Sequence, residues 1–164
     1  MDGTKSFTAD VKLTDADFWK VFDFSFIDGK PYNEAEFKSG IALAVIDKTT
    51  ARQLFGTDNG VTGRIFKLKH IPYKVSGVVN DVSTLATTAY AQIWIPYTTD
   101  KEAFEMTWDD IMGYFSVTIL AHSEADKAKV HEEAVTNLNK FNLTIKNKGI
   151  KLIDRNRPYD TEKE

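Results

Sequence analysis

The sequence predicts an α+β fold, and three observations carry that expectation. Apolar–polar alternation of period two, the pattern of half-buried strands, occurs near both ends of the chain and repeatedly in its middle. Between these stretches lie segments whose apolar residues recur at helical spacing behind residues suited to cap a helix. Hydrophobic residues make up 42% and charged residues 27% of 164, the balance of a chain that buries a core.

Residues 7–13 alternate (Phe7, Ala9, Val11, Leu13) and read as a strand. Thr14 then reads as an N-cap with Asp17 three positions on, and the helix behind it turns Phe18, Val21 and Phe22 to one face. Phe24-Ser25-Phe26-Ile27 runs into a turn at Asp28-Gly29, and residues 30–40 read as a polar loop containing Glu34 and Glu36. Residues 41–46 are uninterruptedly apolar, as in a strand buried on both faces. Asp47 caps a short helix with Ala51, Leu54 and Phe55 inward, and Gly56 stands where a left-handed residue ends it. Gly29 and Gly56 are both expected at positive φ.

Strands follow at residues 65–69, 73–79 and 91–95, the last stopped by Pro96. Residues 100–113 form a charged and aromatic connector, irregular or with one short helix. A strand is expected at 114–121. A long helix capped by Ser123 follows, with Asp126 three positions on and Ala128, Ala134, Val135, Leu138 and Phe141 inward. Short closing strands are expected at 143–145 and 150–153, then a frayed tail from 154 to 164.

Several chemistries are excluded or weak. Net charge is −3 with both signs interspersed and no basic stripe, so nucleic acid has no electrostatic reason to bind and an anionic membrane surface has no compositional one. The absence of cysteine removes disulfides, thiolate catalysis and cysteine-held metals. The longest clean apolar run falls far short of the ~20 residues of a membrane span. The segment after Met1 is polar and does not read as a signal peptide. His70, His122 and His131 lack helical metal-ligand spacing, and Gly56, Gly60 and Gly63 precede a strand rather than the Lys-Ser/Thr helix start of a phosphate loop. Trp94, Met106, Trp108 and Met112 read as exposed interface anchors or as core of an irregular segment.

Five stretches in order resemble one family. They are Phe18-Trp19-Lys20-Val21-Phe22-Asp23-Phe24 with Asp28-Gly29-Lys30; residues 41–47 with Ala51-Arg52-Gln53-Leu54-Phe55-Gly56; Gly63-Arg64-Ile65; Tyr73-Lys74-Val75-Ser76-Gly77-Val78-Val79-Asn80-Asp81; and Ile93-Trp94-Ile95-Pro96-Tyr97. Together they resemble the periplasmic core domain of MacB/FtsX-like ABC transporter permeases. The resemblance implies two lobes. Residues 1–23 and 98–164 would form an outer, membrane-proximal βαβ-type lobe, and residues 24–97 an inserted β-rich lobe with one short helix.

It also implies a domain on the extracytoplasmic face of the bacterial membrane, attached only through helices outside this sequence. Such a domain would couple ATP-driven motion to a periplasmic adaptor or substrate protein. The ATP-binding subunit or domain would act through the membrane, and the resemblance implies neither a catalytic residue nor a cofactor. Two other readings stand beside it: a stand-alone extracellular binding module with a groove at Trp94, Tyr97 or Trp108, and a small hydrolase using Asp109 and Asp110. Because both chain ends would lie near the membrane, the expected contact points are loops 58–61 and 82–90, with Asn59, Leu85, Thr88 and Tyr90 as candidate partner-contact residues.

Overall fold

The computed structural model describes residues 8–104 and 116–145. They fall into two compact units, Met1–Thr118 and Ile119–Glu164.

Among the described residues, the first unit is built on a six-stranded mixed sheet. Its strands are β1 (Val11–Thr14), β2 (Phe26–Gly29), β3 (Leu43–Asp47), β4 (Ile65–Leu68), β5 (Ile71–Val79) and β6 (Ile93–Pro96). Their order is β1-β6-β3-β5-β2, with β4 paired to β5. Parallel pairs are β1 with β6 and β3 with β5, and the remaining pairs are antiparallel. The α+β class is therefore observed. β1, from the segment expected in the outer lobe, and β6, from the expected insert, are neighbours in this one sheet.

The uninterrupted apolar character of β3 has a direct cause: all five of its residues are buried because both sheet faces are covered. Ala44 and Ile46 point to one cluster with Val75, Ile93, Ile95 and Ala51 of α3 (Lys48–Phe55). Leu43 and Val45 point to the other with Trp94, Tyr32 and Phe37. Phe18 and Trp19 of α1 (Phe18–Val21) pack on that second cluster. Asp47 caps α3 as expected, its carboxylate accepting from the Thr50 N–H at 2.7 Å. Gly56 ends the helix at φ +74° and Gly29 closes β2 at φ +64°.

Four local readings are corrected. Thr14 does not cap α1. Its hydroxyl is buried against the Tyr32 hydroxyl, and Asp15 instead accepts from the Phe18 N–H at 2.8 Å. The polar stretch at 30–40 contains α2 (Glu34–Lys38), so Glu34 and Glu36 are helical rather than in a loop. A capping box between Asn33 and Glu36 nucleates it and burial of Phe37 fastens it to the core. Residues 116–121 form no strand among the described residues, and Val117 is 85% exposed. Alternation supplies two faces but no hydrogen-bonded neighbour, and a strand needs both. In the second unit, α4 (Glu124–Thr144) is capped by Ser123 as expected, but it continues through Leu143, where the sequence predicts a closing strand. The predicted strand at 150–153 and the tail lie outside the described residues.

Pro72 lies inside β5 without breaking it. The turn at Lys69 and His70, both at positive φ, closes on the pair Leu68–Ile71, so hydrogen-bonded pairs alternate from there and Pro72 opposite Lys67 has no ladder bond to β4 to lose.

Asp28 joins two parts of this unit. Its Oδ2 accepts from the Val61 N–H at 2.7 Å and the Thr62 N–H at 3.0 Å. Those donors, Thr62 foremost, outweigh partial burial and hold the carboxyl below its ordinary value. A lowered folded-state pKa means stability that is present above the unfolded value and lost as pH falls through the folded one. Asp28→Asn is expected to cost on the order of 1 kcal/mol at neutral pH, the partial exposure keeping the figure small. The gap between parent and variant urea midpoints should shrink below about pH 4. A gap that does not change with pH would show that the charge is irrelevant.

Candidate partner-contact surface

The connection between β5 and β6 carries three of the four candidate residues. Its entrance is fixed by Asp81, which accepts from the Thr49 N–H at 2.9 Å and the Thr49 hydroxyl at 3.0 Å in the first turn of α3. Asp47 lies close by. Burial foremost, with a smaller push from Asp81, raises its carboxyl above the ordinary range, and the Thr50 bonds work against that rise. Val82 packs against the second core cluster.

The loop then folds on itself. The Ala86 N–H donates to Ser83 O at 3.0 Å and the Tyr90 N–H to Ala86 O at 2.7 Å. Two side chains from the sheet hold it from beneath. Lys12 Nζ of β1 donates to Thr88 O at 2.8 Å and Thr87 O at 3.1 Å, and the Trp94 indole donates to Ala89 O at 3.0 Å. Above this support Leu85 stands 89% exposed, while Thr88 and Tyr90 are half-buried.

Asn59 is elsewhere. It is exposed in the turn after α3, beside Val61 and Thr62, whose N–H groups meet Asp28 at the end of β2. The 82–90 loop is tied to β1 at one edge of the sheet and the Asn59 turn to β2 at the other. The structure thus gathers Leu85, Thr88 and Tyr90 and leaves Asn59 apart. The 82–90 loop also adjoins the start of β1, where the Gln92 N–H donates to Asp10 O at 2.9 Å. Its case as a contact surface therefore rests on Leu85 and its anchoring, not on distance from the beginning of the chain.

Trp94 is corrected outright. It is wholly buried, with Phe24 and Trp19 edge-on at 5.3 and 6.1 Å, so it lines no groove. Tyr97 is half-buried against Phe37, ring centroids 4.9 Å apart. Met106, Trp108, Asp109, Asp110 and Met112 lie outside the described residues. Lys12, which helps shape the loop, is not among the residues that sequence patterns pick out, and Asp81 enters there only as the last residue of a family-like stretch, with no role in the loop. Nothing in a charged residue's sequence position marks it as a tether for a main chain 75 residues away.

The sequence model of the MacB-like periplasmic core domain matches residues 2–137. The chain belongs to that family. It is a periplasmic domain of a MacB-like ABC transporter permease, on the outer side of the bacterial cytoplasmic membrane. Among curated relatives, the macrolide export ATP-binding/permease proteins MacB of Escherichia coli K12 and Shigella flexneri are each 26% identical over 119 residues, 71% of this chain. The chain spans 18% of their length. The periplasmic region of MacB from Actinobacillus actinomycetemcomitans superposes with a TM-score of 0.56 at 21% identity, over 84% of this chain and 59% of that one. That likeness is one of fold. No helix among the described residues is long and apolar enough to cross a membrane.

Proposed function

We propose that this MacB-like domain transmits ATP-driven movement of a permease to a periplasmic adaptor or substrate protein and contributes no catalysis of its own. The observation that carries the reading is the family match over residues 2–137. The curated relatives are named for ATP binding and macrolide export, and in this reading ATP hydrolysis belongs to a nucleotide-binding part acting through the membrane. The 82–90 loop would be one contact with the partner. An apolar side chain as exposed as Leu85, on a loop pinned by Lys12, Asp81 and Trp94, offers an anchor with little ordering cost on binding.

The test uses the full permease in cells. Leu85→Asp and Thr88→Glu should leave the fold intact, judged by an unchanged urea midpoint of the domain, yet lower transport at least tenfold. Variants that fold and transport like the parent would reduce the loop to a connector.

A further inference from the structure

The interspersion of charge read along the whole chain fails locally. Between Asn59 and Asn80 there are four cations, Arg64, Lys67, Lys69 and Lys74, and no carboxylate, in a chain of net charge −3. The β4–β5 hairpin gathers all four, and each is exposed. None makes a salt bridge with a described residue: the ion pairs there involve Lys20, Lys38, Arg52 and Lys127. Arg64 lies over the Phe55 ring at 5.6 Å.

The outer side of this hairpin is also open among the described residues. Among the described residues β4 pairs only with β5. The Val75 N–H donates to Arg64 O at 2.9 Å, which fits hydrogen-bonded pairs at Leu68–Ile71, Phe66–Tyr73 and Arg64–Val75. Alternation then directs the main-chain groups of Ile65 and Lys67 outward, away from β5. Phe66 faces the core and is buried, whereas Ile65 on the opposite face is 63% exposed. Lys67 shares that outer face with Pro72 and Lys74.

We propose that the outer edge of β4 receives an extended acidic segment of a partner protein by strand addition. Main-chain bonds to Ile65 and Lys67 would set its register, and its carboxylates, on the outer face, would meet Lys67, with Lys69 at the turn adding to the attraction. This interaction is separate from the 82–90 loop and stands or falls independently of it. Cations on an edge strand also discourage chance pairing between sheets. The same charges favour one kind of incoming strand, an acidic one, and oppose the others.

The probe is a blocked eight-residue peptide alternating Glu with Val or Thr, titrated into the 164-residue chain, with a Lys-for-Glu counterpart as control. The acidic peptide should bind and the basic one should not, and affinity should fall several-fold as salt rises from about 50 to about 300 mM. Lys67→Glu with Lys69→Glu should weaken binding at least tenfold. Lys67→Pro, which removes an outward N–H and spares the β4–β5 ladder, should weaken it more than Lys67→Ala does. Circular dichroism and the urea midpoint establish that each variant is folded. Absence of peptide binding, equal binding of both peptides, or indifference to the double charge reversal would overturn the proposal and leave the cations as guards of the edge. Binding to phosphatidylglycerol-containing vesicles but not to the peptide would assign the edge to a lipid surface instead. Dimerisation abolished by Lys67→Glu would assign it to a second copy, and either result overturns the proposal.

Discussion

Replacing Trp94 with alanine is expected to cost about 3–5 kcal/mol, the upper range for truncating a single buried side chain. The side chain is wholly buried in the centre of β6, between β1 and β3, and packs with Trp19 and Phe24. Its removal leaves a cavity that rigid strands on both sides cannot fill by collapse. It also takes away the indole donor to Ala89 O, so the 82–90 loop loses one of its supports. Trp94→Phe keeps most of the volume and loses the donor, and should cost roughly 1–2 kcal/mol. Urea denaturation of the three proteins decides the matter. An alanine variant no less stable than the phenylalanine variant would mean that packing around Trp94 is not what holds this face of the sheet. If Trp94 does support the loop, hydrogen exchange at 86–90 should speed up in Trp94→Phe while the sheet core stays protected.

Gly29→Val should destabilise by roughly 3 kcal/mol or more, and Gly56→Val by only about 1–2 kcal/mol. Both glycines hold left-handed backbone, so both variants carry the same conformational strain. Their surroundings differ. A Cβ at Gly56 meets nothing within 4 Å, whereas one at Gly29 would run into the Ser76 carbonyl oxygen and the Thr62 hydroxyl. Ser76 O already accepts from the Lys30 N–H at 3.0 Å, so the backbone there cannot retreat without breaking that bond. Comparing urea midpoints separates strain from collision. Equal losses at the two positions would show that only φ matters and that the β2–β5 contact is loose.

How much of this is legible in the sequence depends on whether the cause is local. The α3 cap at Asp47, its Gly56 ending, the doubly buried β3 and the Ser123 cap all depend on contacts within a few residues, and the sequence places all of them correctly. It misplaces the cap at Thr14 because Asp15 lies one position away with equal capping chemistry, and only the approach of Tyr32 decides which side chain turns inward. α2 escapes a reading by period because its five residues carry one apolar anchor, Phe37, too few to show one, although the Asn33–Glu36 box is there to be seen. Trp94 resembles a surface anchor because aromatic residues suit both interfaces and cores.

The candidate surface shows the same division. Composition and turn residues mark 82–90 as a loop, and its exposed Leu85 follows from that. What makes it an ordered platform is Lys12, Asp81 and Trp94, brought in from β1, the end of β5 and β6. Hydrophobic period, capping chemistry and motif order are enough for the fold class, most strands, the two main helix caps and the family resemblance. Strand pairing across the chain sets β1 beside β6 in one sheet, Asn59 across it from Leu85, and the hairpin cations along an edge left open among the described residues. Those outcomes depend on which strands become neighbours, and hydrogen-bond pairing between distant segments leaves no local trace in the order of residues.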